Sequence, residues 1–123
     1  MMSYHDQISG IASELEEILD LDELEAKVYL NLLRAGPITA SALAKELDID
    51  RARMYRTVDK LVSRNIISTT LSSPKLCIAA DPQDALKIAL RKKEDEVNRI
   101  KKGGEAIIEK INSEITTKQG TNV

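Results

Sequence analysis

The sequence predicts a mainly α-helical protein with a small β-hairpin wing: a winged helix-turn-helix followed by a long C-terminal coiled-coil helix. Three observations predict it. The stretch 39–80 reads as a helix (TASALAKEL), a tight turn (DID), a second helix (RARMYRTVDKLVSRN) and a hairpin (IISTTLSSPKLCIAA). The second helix carries Arg51, Arg53, Arg56, Lys60 and Arg64 against one acid, Asp59. After Pro82, apolar residues recur in alternating steps of three and four, the spacing of a heptad seam.

The elements follow in chain order. Ile8, Ile11, Ala12, Leu15, Ile18 and Leu19 have helical spacing over 8–19, with acids on the other face. Asp20 to Asp22 interrupts that pattern. Asp22 stands three residues before Glu25, the signature of a capping box for a helix over 23–35. In that helix Leu24, Val28 and Leu32 form one stripe and Ala26, Leu30 and Leu33 another, so it is expected to pack between neighbours. Gly36-Pro37 ends it.

Ile38 is placed as a strand of one or two residues beside the hairpin. Thr39 is the expected N-cap of helix 40–47, with Leu43, Ala44 and Leu47 inward. Asp50 caps the basic helix and complements its dipole. There Met54, Val58, Leu61 and Val62 form the expected buried stripe, and Arg53, Arg56, Thr57, Lys60 and Arg64 the opposite side. Asn65 suits a left-handed exit. Ile66–Leu71 and Leu76–Ala80 read as strands joined by the short tip Ser72-Ser73-Pro74-Lys75.

Asp81-Pro82 opens the last helix, with Pro at a tolerated first position. Its seam is Leu86, Leu90, Val97, Ile100, Ile107 and Ile111, weakened where Lys93 and Gly104 occupy seam positions. So small a domain cannot cover so long a stripe, and its own copy is the simplest partner, giving a twofold homodimer. The expected division is 1–81 for the winged helix, 82–116 for dimerisation and 117–123 for a flexible tail.

Composition narrows the function. The 123 residues suit one core without disulfides or metals. Net charge is −2, but residues 1–35 hold eight acids and two bases, whereas residues 51–80 hold six bases and one acid. Screening over about 10 Å makes the local excess the relevant one for a phosphate backbone. The aromatics are Tyr4, Tyr29 and Tyr55, too few for a platform that stacks single-stranded bases. Cys77 and one His cannot build the usual zinc site. There is no signal-like apolar core at the N-terminus and no run long enough to span a bilayer, so a cytoplasmic protein without membrane partners is expected. No catalytic constellation is present, and the sequence assigns neither a cofactor nor a small-molecule effector.

Double-stranded DNA is the partner that the residues favour. Arg51, Arg53, Arg56 and Lys60 would form a merely solvated face on an arbitrary helix. On the second helix of a helix-turn-helix they are expected to meet DNA. Arg51 and Ala52 would lie deepest or beside a phosphate, and Arg64 would meet DNA backbone or solvent. Thr39 and Ser41 open the preceding helix, where N-termini contact phosphate. Tyr55 can offer its hydroxyl, and Lys75 can reach from the wing. Thr57 completes the set. Cys77, between Leu76 and Ile78, reads as a small buried apolar residue rather than a redox sensor.

The run LDLDELEAKVYLNLLRAGPITASALAKELDIDRARMYRTVDKLVSRNII resembles the DNA-binding domain of the TrmB-like family of archaeal transcription regulators. The matching pieces are the EAKVYLNLL helix, the GPITA turn and the RARMYRTVDKL helix with its Asn65-Ile66 exit. The resemblance covers roughly residues 15–85. It implies a DNA-binding winged helix in a transcription regulator, with Arg53 and Tyr55 at the DNA surface or its edge. That family often has Gly where Asp20 stands, Pro where Asp50 stands and Ser where Ala52 stands. The last change removes a hydroxyl contact to DNA. Larger members carry a C-terminal sugar-binding domain; sugar sensing is not expected of this chain. Two other readings remain beside sequence-specific regulation: a winged-helix protein-interaction module in a transcription or chromatin assembly, and a sequence-neutral architectural DNA-binding protein.

Overall fold

A computed structural model of the chain describes the backbone of residues 4–121 and the side chains of residues 7–116. The element order is α1 (Tyr4–Ile18), α2 (Glu23–Ala35), α3 (Ala40–Leu47), α4 (Arg51–Ser63), β1 (Ile67–Thr69), β2 (Cys77–Ala79) and α5 (Pro82–Thr121). The chain divides into two compact units, residues 1–87 and 88–123.

Short polar side chains set the helix starts in the first unit. Asp22 Oδ1 accepts from Glu25 N at 2.7 Å, and Glu25 Oε1 accepts from Asp22 N at 3.0 Å. This reciprocal box satisfies two free donors at the start of α2. Thr39 Oγ1 accepts from Ala42 N at 3.1 Å, and Asp50 Oδ2 from Arg53 N at 3.1 Å. Asp81 Oδ1 does the same for Gln83 N at 2.9 Å, just ahead of Pro82. The exits use left-handed backbone: Asp20 at φ 56°, Gly36 at 81°, Asp48 at 52° and Asn65 at 62°. Asp and Asn tolerate this region better than other side chains. The Asp20 conformation explains why glycine suits that position.

The core lies where α2, α3, α4 and the hairpin meet. Val28, Tyr29 and Leu32 of α2, Leu43 of α3, Met54 and Leu61 of α4, and Ile67 and Cys77 of the hairpin are almost wholly buried. Each buried aliphatic side chain contributes about 1.5–3 kcal/mol relative to exposure. Of the two apolar stripes expected on α2, Leu24, Val28 and Leu32 are buried; on the other, Ala26 is buried, Leu30 part-buried and Leu33 exposed. Tyr29 donates to Ala80 O at 2.8 Å. That bond ties α2 to the end of the hairpin across 51 positions of sequence. Burial, and then the nearby Asp81 charge, push the Tyr29 phenol above its ordinary pKa.

The wing is an antiparallel pair with Ile67 opposite Ala79, Ser68 opposite Ile78 and Thr69 opposite Cys77. Ile38 bridges to the other side of Cys77: Cys77 N donates to Ile38 O at 2.7 Å. The strands are shorter than the apolar runs suggest. Thr70 is the reason. Thr70 N still donates to Leu76 O at 3.0 Å, but Leu76 N donates at 2.9 Å to Thr70 Oγ1 instead of completing the pair with the Thr70 carbonyl. Cys77 is buried, and burial pushes its thiol pKa up, which disfavours the reactive thiolate.

Arg64 departs from expectation. Instead of facing DNA or solvent, its guanidinium donates to Asp20 O at 2.7 Å and to Leu19 O. It thereby caps the free carbonyls at the end of α1, where a cation is favoured. Arg64→Ala is expected to lower stability by about 1–2 kcal/mol, measured by urea denaturation, because charged hydrogen bonds at a part-exposed site are lost.

The second unit consists of the rest of α5. The helix as a whole has 40 residues, about 60 Å at 1.5 Å per residue. It continues through Thr121, so the expected tail at 117–123 is helical over 117–121; residues 122 and 123 lie outside the described residues. Leu86, Leu90, Val97, Ile100, Ile107 and Ile111 are all exposed, as are Ile108 and Ile115 beside them. No helix among the described residues is long and apolar enough to cross a membrane.

Candidate nucleic-acid interface

Helix α4 has two faces. Met54, Thr57, Val58 and Leu61 are buried, and Arg51, Ala52, Arg53, Tyr55, Arg56, Asp59 and Lys60 are exposed. The capped start, Asp50, orients the first turn so that the arginines stand outward. Among the described residues the ion pairs are Lys27–Glu23 and Lys93–Glu96. None of the α4 cations is in one.

Thr57 is a correction. It is 8% exposed, and its Oγ1 donates to Arg53 O at 2.9 Å. It lies three residues after Met54 and four before Leu61, which places it on the inner arc. Its hydroxyl is spent on its own helix, and it does not belong to the exposed row.

Three predicted residues are brought together across the turn. Tyr55 Oη lies 3.2 Å from Ser41 Oγ, and Arg51 Nη2 donates to Tyr55 Oη at 3.4 Å. The Arg51 guanidinium also lies over the Tyr55 ring, 5.6 Å from its centroid. The Ser41 hydrogen bond first, and the Arg51 bond second, hold the Tyr55 phenol below its ordinary pKa. Tyr55 remains 42% exposed, so it is not a core residue. The result is a surface cluster of two hydroxyls and a guanidinium where the start of α3 meets the start of α4. Donors so arranged match the oxygens of one phosphate.

Thr39 sits beside this cluster in sequence, but its oxygen accepts as the α3 cap. Arg53 lies at the rim of a groove of about 440 Å³ lined by Glu23, Leu24, Lys27, Glu46, Leu47 and Ile49. Lys75 is exposed on the wing tip, in the loop between β1 and β2. The Arg51–Tyr55 pair was legible from its spacing of four on one helix. The Ser41–Tyr55 contact was not, because it depends on how α3 and α4 cross.

A basic helix held by a preceding helix and followed by a two-stranded hairpin is the winged helix of DNA-binding transcription regulators. A family model described as the sugar-specific transcriptional regulator TrmB matches residues 15–83, more than half of the sequence. The chain belongs to the TrmB family.

One curated relative carries a TrmB-type name, and the solved structures share the fold. A sugar-sensing transcriptional regulator of Pyrococcus furiosus, TrmBL1, is 26% identical over 105 residues, 80% of this chain and 31% of that protein. A Bacillus subtilis protein, YrhO, is 26% identical over 84 residues, 68% of this chain and 30% of that protein. The chain thus spans about a third of the length of these curated relatives. Among solved structures, the archaeal chromatin protein TrmBL2 superimposes with a TM-score of 0.78 at 18% identity, covering 85% of this chain and 40% of that one. A MarR family protein of Bacillus stearothermophilus gives 0.54 at 12% identity, covering 89% and 86%. At such identities the likeness is one of fold.

Proposed function

We propose that this protein binds double-stranded DNA sequence-specifically as a homodimeric transcription regulator, with residues 1–81 as reader and 82–116 as the dimerisation helix. The observation that carries the reading is the exposed cationic row of α4, flanked by the Ser41–Tyr55–Arg51 cluster. Arg53, Arg56 and Lys60 are the base-reading candidates, because an arginine fork matches guanine O6 and N7. Arg51, Tyr55, Ser41 and Thr39 hold phosphate, Ala52 lies against the groove wall, and Lys75 adds a contact from the wing.

A salt titration on a duplex selected from a random pool tests this reading. Log affinity is expected to fall with log salt by about 0.9 per phosphate contacted, and unrelated duplexes to bind far more weakly. A flat salt response would instead support the protein-interaction module.

The seam on α5 supports the dimer. Six exposed apolar residues along one helical stripe are costly in water, and a second copy buries them at the geometry of a coiled coil. Two readers would then sit about one helical turn of DNA apart, roughly 34–36 Å, on a near-palindromic site. Light scattering is expected to give twice the chain mass, and Ile107→Asp with Ile111→Asp to give one chain mass. A monomeric wild type would refute the seam as a dimer interface.

The likeness to TrmBL2, described as a chromatin protein with a novel mode of DNA binding, favours one second reading: a sequence-neutral architectural DNA-binding protein. Equal affinity for unrelated duplexes would select it.

A further inference from the structure

Among the described residues of the first unit, Leu71 has a surface unlike that of any other large apolar residue. It is 102% exposed, against 61% for Ile18, the next. It occupies the loop between β1 and β2, where an apolar side chain gains nothing from the core. The loop also holds it out. On one side, Thr70 Oγ1 lies 2.7 Å from Ser72 Oγ and accepts from Leu76 N at 2.9 Å. On the other, Ser72 Oγ donates to Pro74 O at 3.2 Å. Both neighbours of Leu71 are thus tied into the turn by their own side chains, and the leucine is the projecting apolar residue of a braced tip.

The surroundings select a partner. Residues 60–80 contain no acid, and Lys75 stands exposed at the same tip. A single leucine framed by small hydroxyls and a cation is a poor match for an apolar protein pocket, which needs a broader patch. It matches a polyanion with a narrow cleft. The minor groove of DNA is about 6 Å wide, with apolar sugar walls and a strongly negative potential where A·T pairs narrow it. Apolar wedges at base steps there kink or widen the duplex.

We propose that Leu71 is a minor-groove wedge, inserted from the wing while α4 occupies the adjoining major groove, with Lys75 drawn in beside it. This rests on the DNA-binding reading above. It adds a specificity that α4 does not supply. The 2-amino group of guanine fills the floor of the minor groove, so Leu71 selects A·T pairs under the wing without any base hydrogen bond.

The test uses the full chain and a duplex selected from a random pool, with the wing's position mapped by hydroxyl-radical footprinting. The base pairs there are made A·T, G·C or inosine·C, the last lacking the 2-amino group. Wild type is expected to bind the G·C duplex about fivefold to tenfold more weakly than A·T, with inosine·C restoring binding. Leu71→Ala is expected to lose a similar factor on A·T and to become indifferent to the three. The wholly exposed position leaves folding unaffected, which circular dichroism checks. Arg53→Ala is the control: it weakens all three duplexes alike and keeps the order among them. Leu71→Ala with wild-type affinity and wild-type preference would overturn the wedge while the DNA reading stands. A wild type that binds no duplex overturns both.

Discussion

Replacing Arg53 and Arg56 together by alanine is expected to reduce affinity for a selected duplex by about a hundredfold or more. Each arginine that pairs with a guanine is worth about 1–3 kcal/mol of discrimination, and 1.4 kcal/mol is tenfold. On the proposed reading the two would reach different bases from one exposed face, so their losses are expected to add. The helix itself should survive. Alanine is the best helix former, and the Asp50 cap binds the backbone N–H of residue 53, which the substitution keeps. Circular dichroism and particle size are therefore expected to match wild type. Arg53→Lys separates charge from shape: it preserves phosphate attraction but loses the planar fork, so an intermediate affinity with relaxed specificity is expected. Undiminished binding by the double variant, in an electrophoretic or fluorescence titration, would remove α4 as the reader.

Leu61→Ala is expected to destabilise the winged helix by about 2–5 kcal/mol. Leu61 has no exposed surface and lies on the inner face of α4 with Met54 and Val58. Truncation removes the transfer free energy of the lost carbons and leaves a cavity that packed neighbours close only in part. A domain of this size has about 5–15 kcal/mol in total, so the loss is a large fraction of it. Urea unfolding measures it as a lower midpoint at unchanged slope. Val62→Ala is the comparison: Val62 is only part-buried, and its loss is expected to be about 1 kcal/mol or less. Equal effects at 61 and 62 would mean that α4 packs differently.

The two substitutions bear on different parts of the molecule. One leaves a folded protein that reads DNA poorly, and the other weakens the scaffold that presents the reader. Arg64→Ala belongs with the second group. Its place at the end of a basic helix suggests DNA backbone or solvent, but its guanidinium holds the end of α1.

Much of the fold was legible because its signals are local. Asp22, Thr39 and Asp50 are caps whose partners lie three residues away, and Gly36, Asp48 and Asn65 are exits within one turn of their helices. The basic row of α4 follows from a period of 3.6 and one acid among five cations. The same period places Thr57 inward, between Met54 and Leu61 on the buried arc, although its polarity suggests the solvent side. The heptad along α5 was equally plain, because a stripe needs nothing but spacing.

Other features depend on residues far apart in sequence. Tyr29 finds Ala80 across 51 positions, Arg64 finds Asp20 and Leu19 across about 45, and Ser41 meets Tyr55 across 14. The hairpin length was set by the Thr70 side chain, not by the extent of β-branched residues. The sequence by itself determined the order of the helices, the starts of α2 to α5, the side of α4 that is basic, and the apolar seam of α5. These follow from backbone donors that need near neighbours and from periodicity. Only the tertiary structure decided which cations are free for a partner and which hold the chain together, and that Ser41, Tyr55 and Arg51 share one surface. Such choices turn on helix crossings and on burial, which act between segments and leave no fixed spacing in the chain.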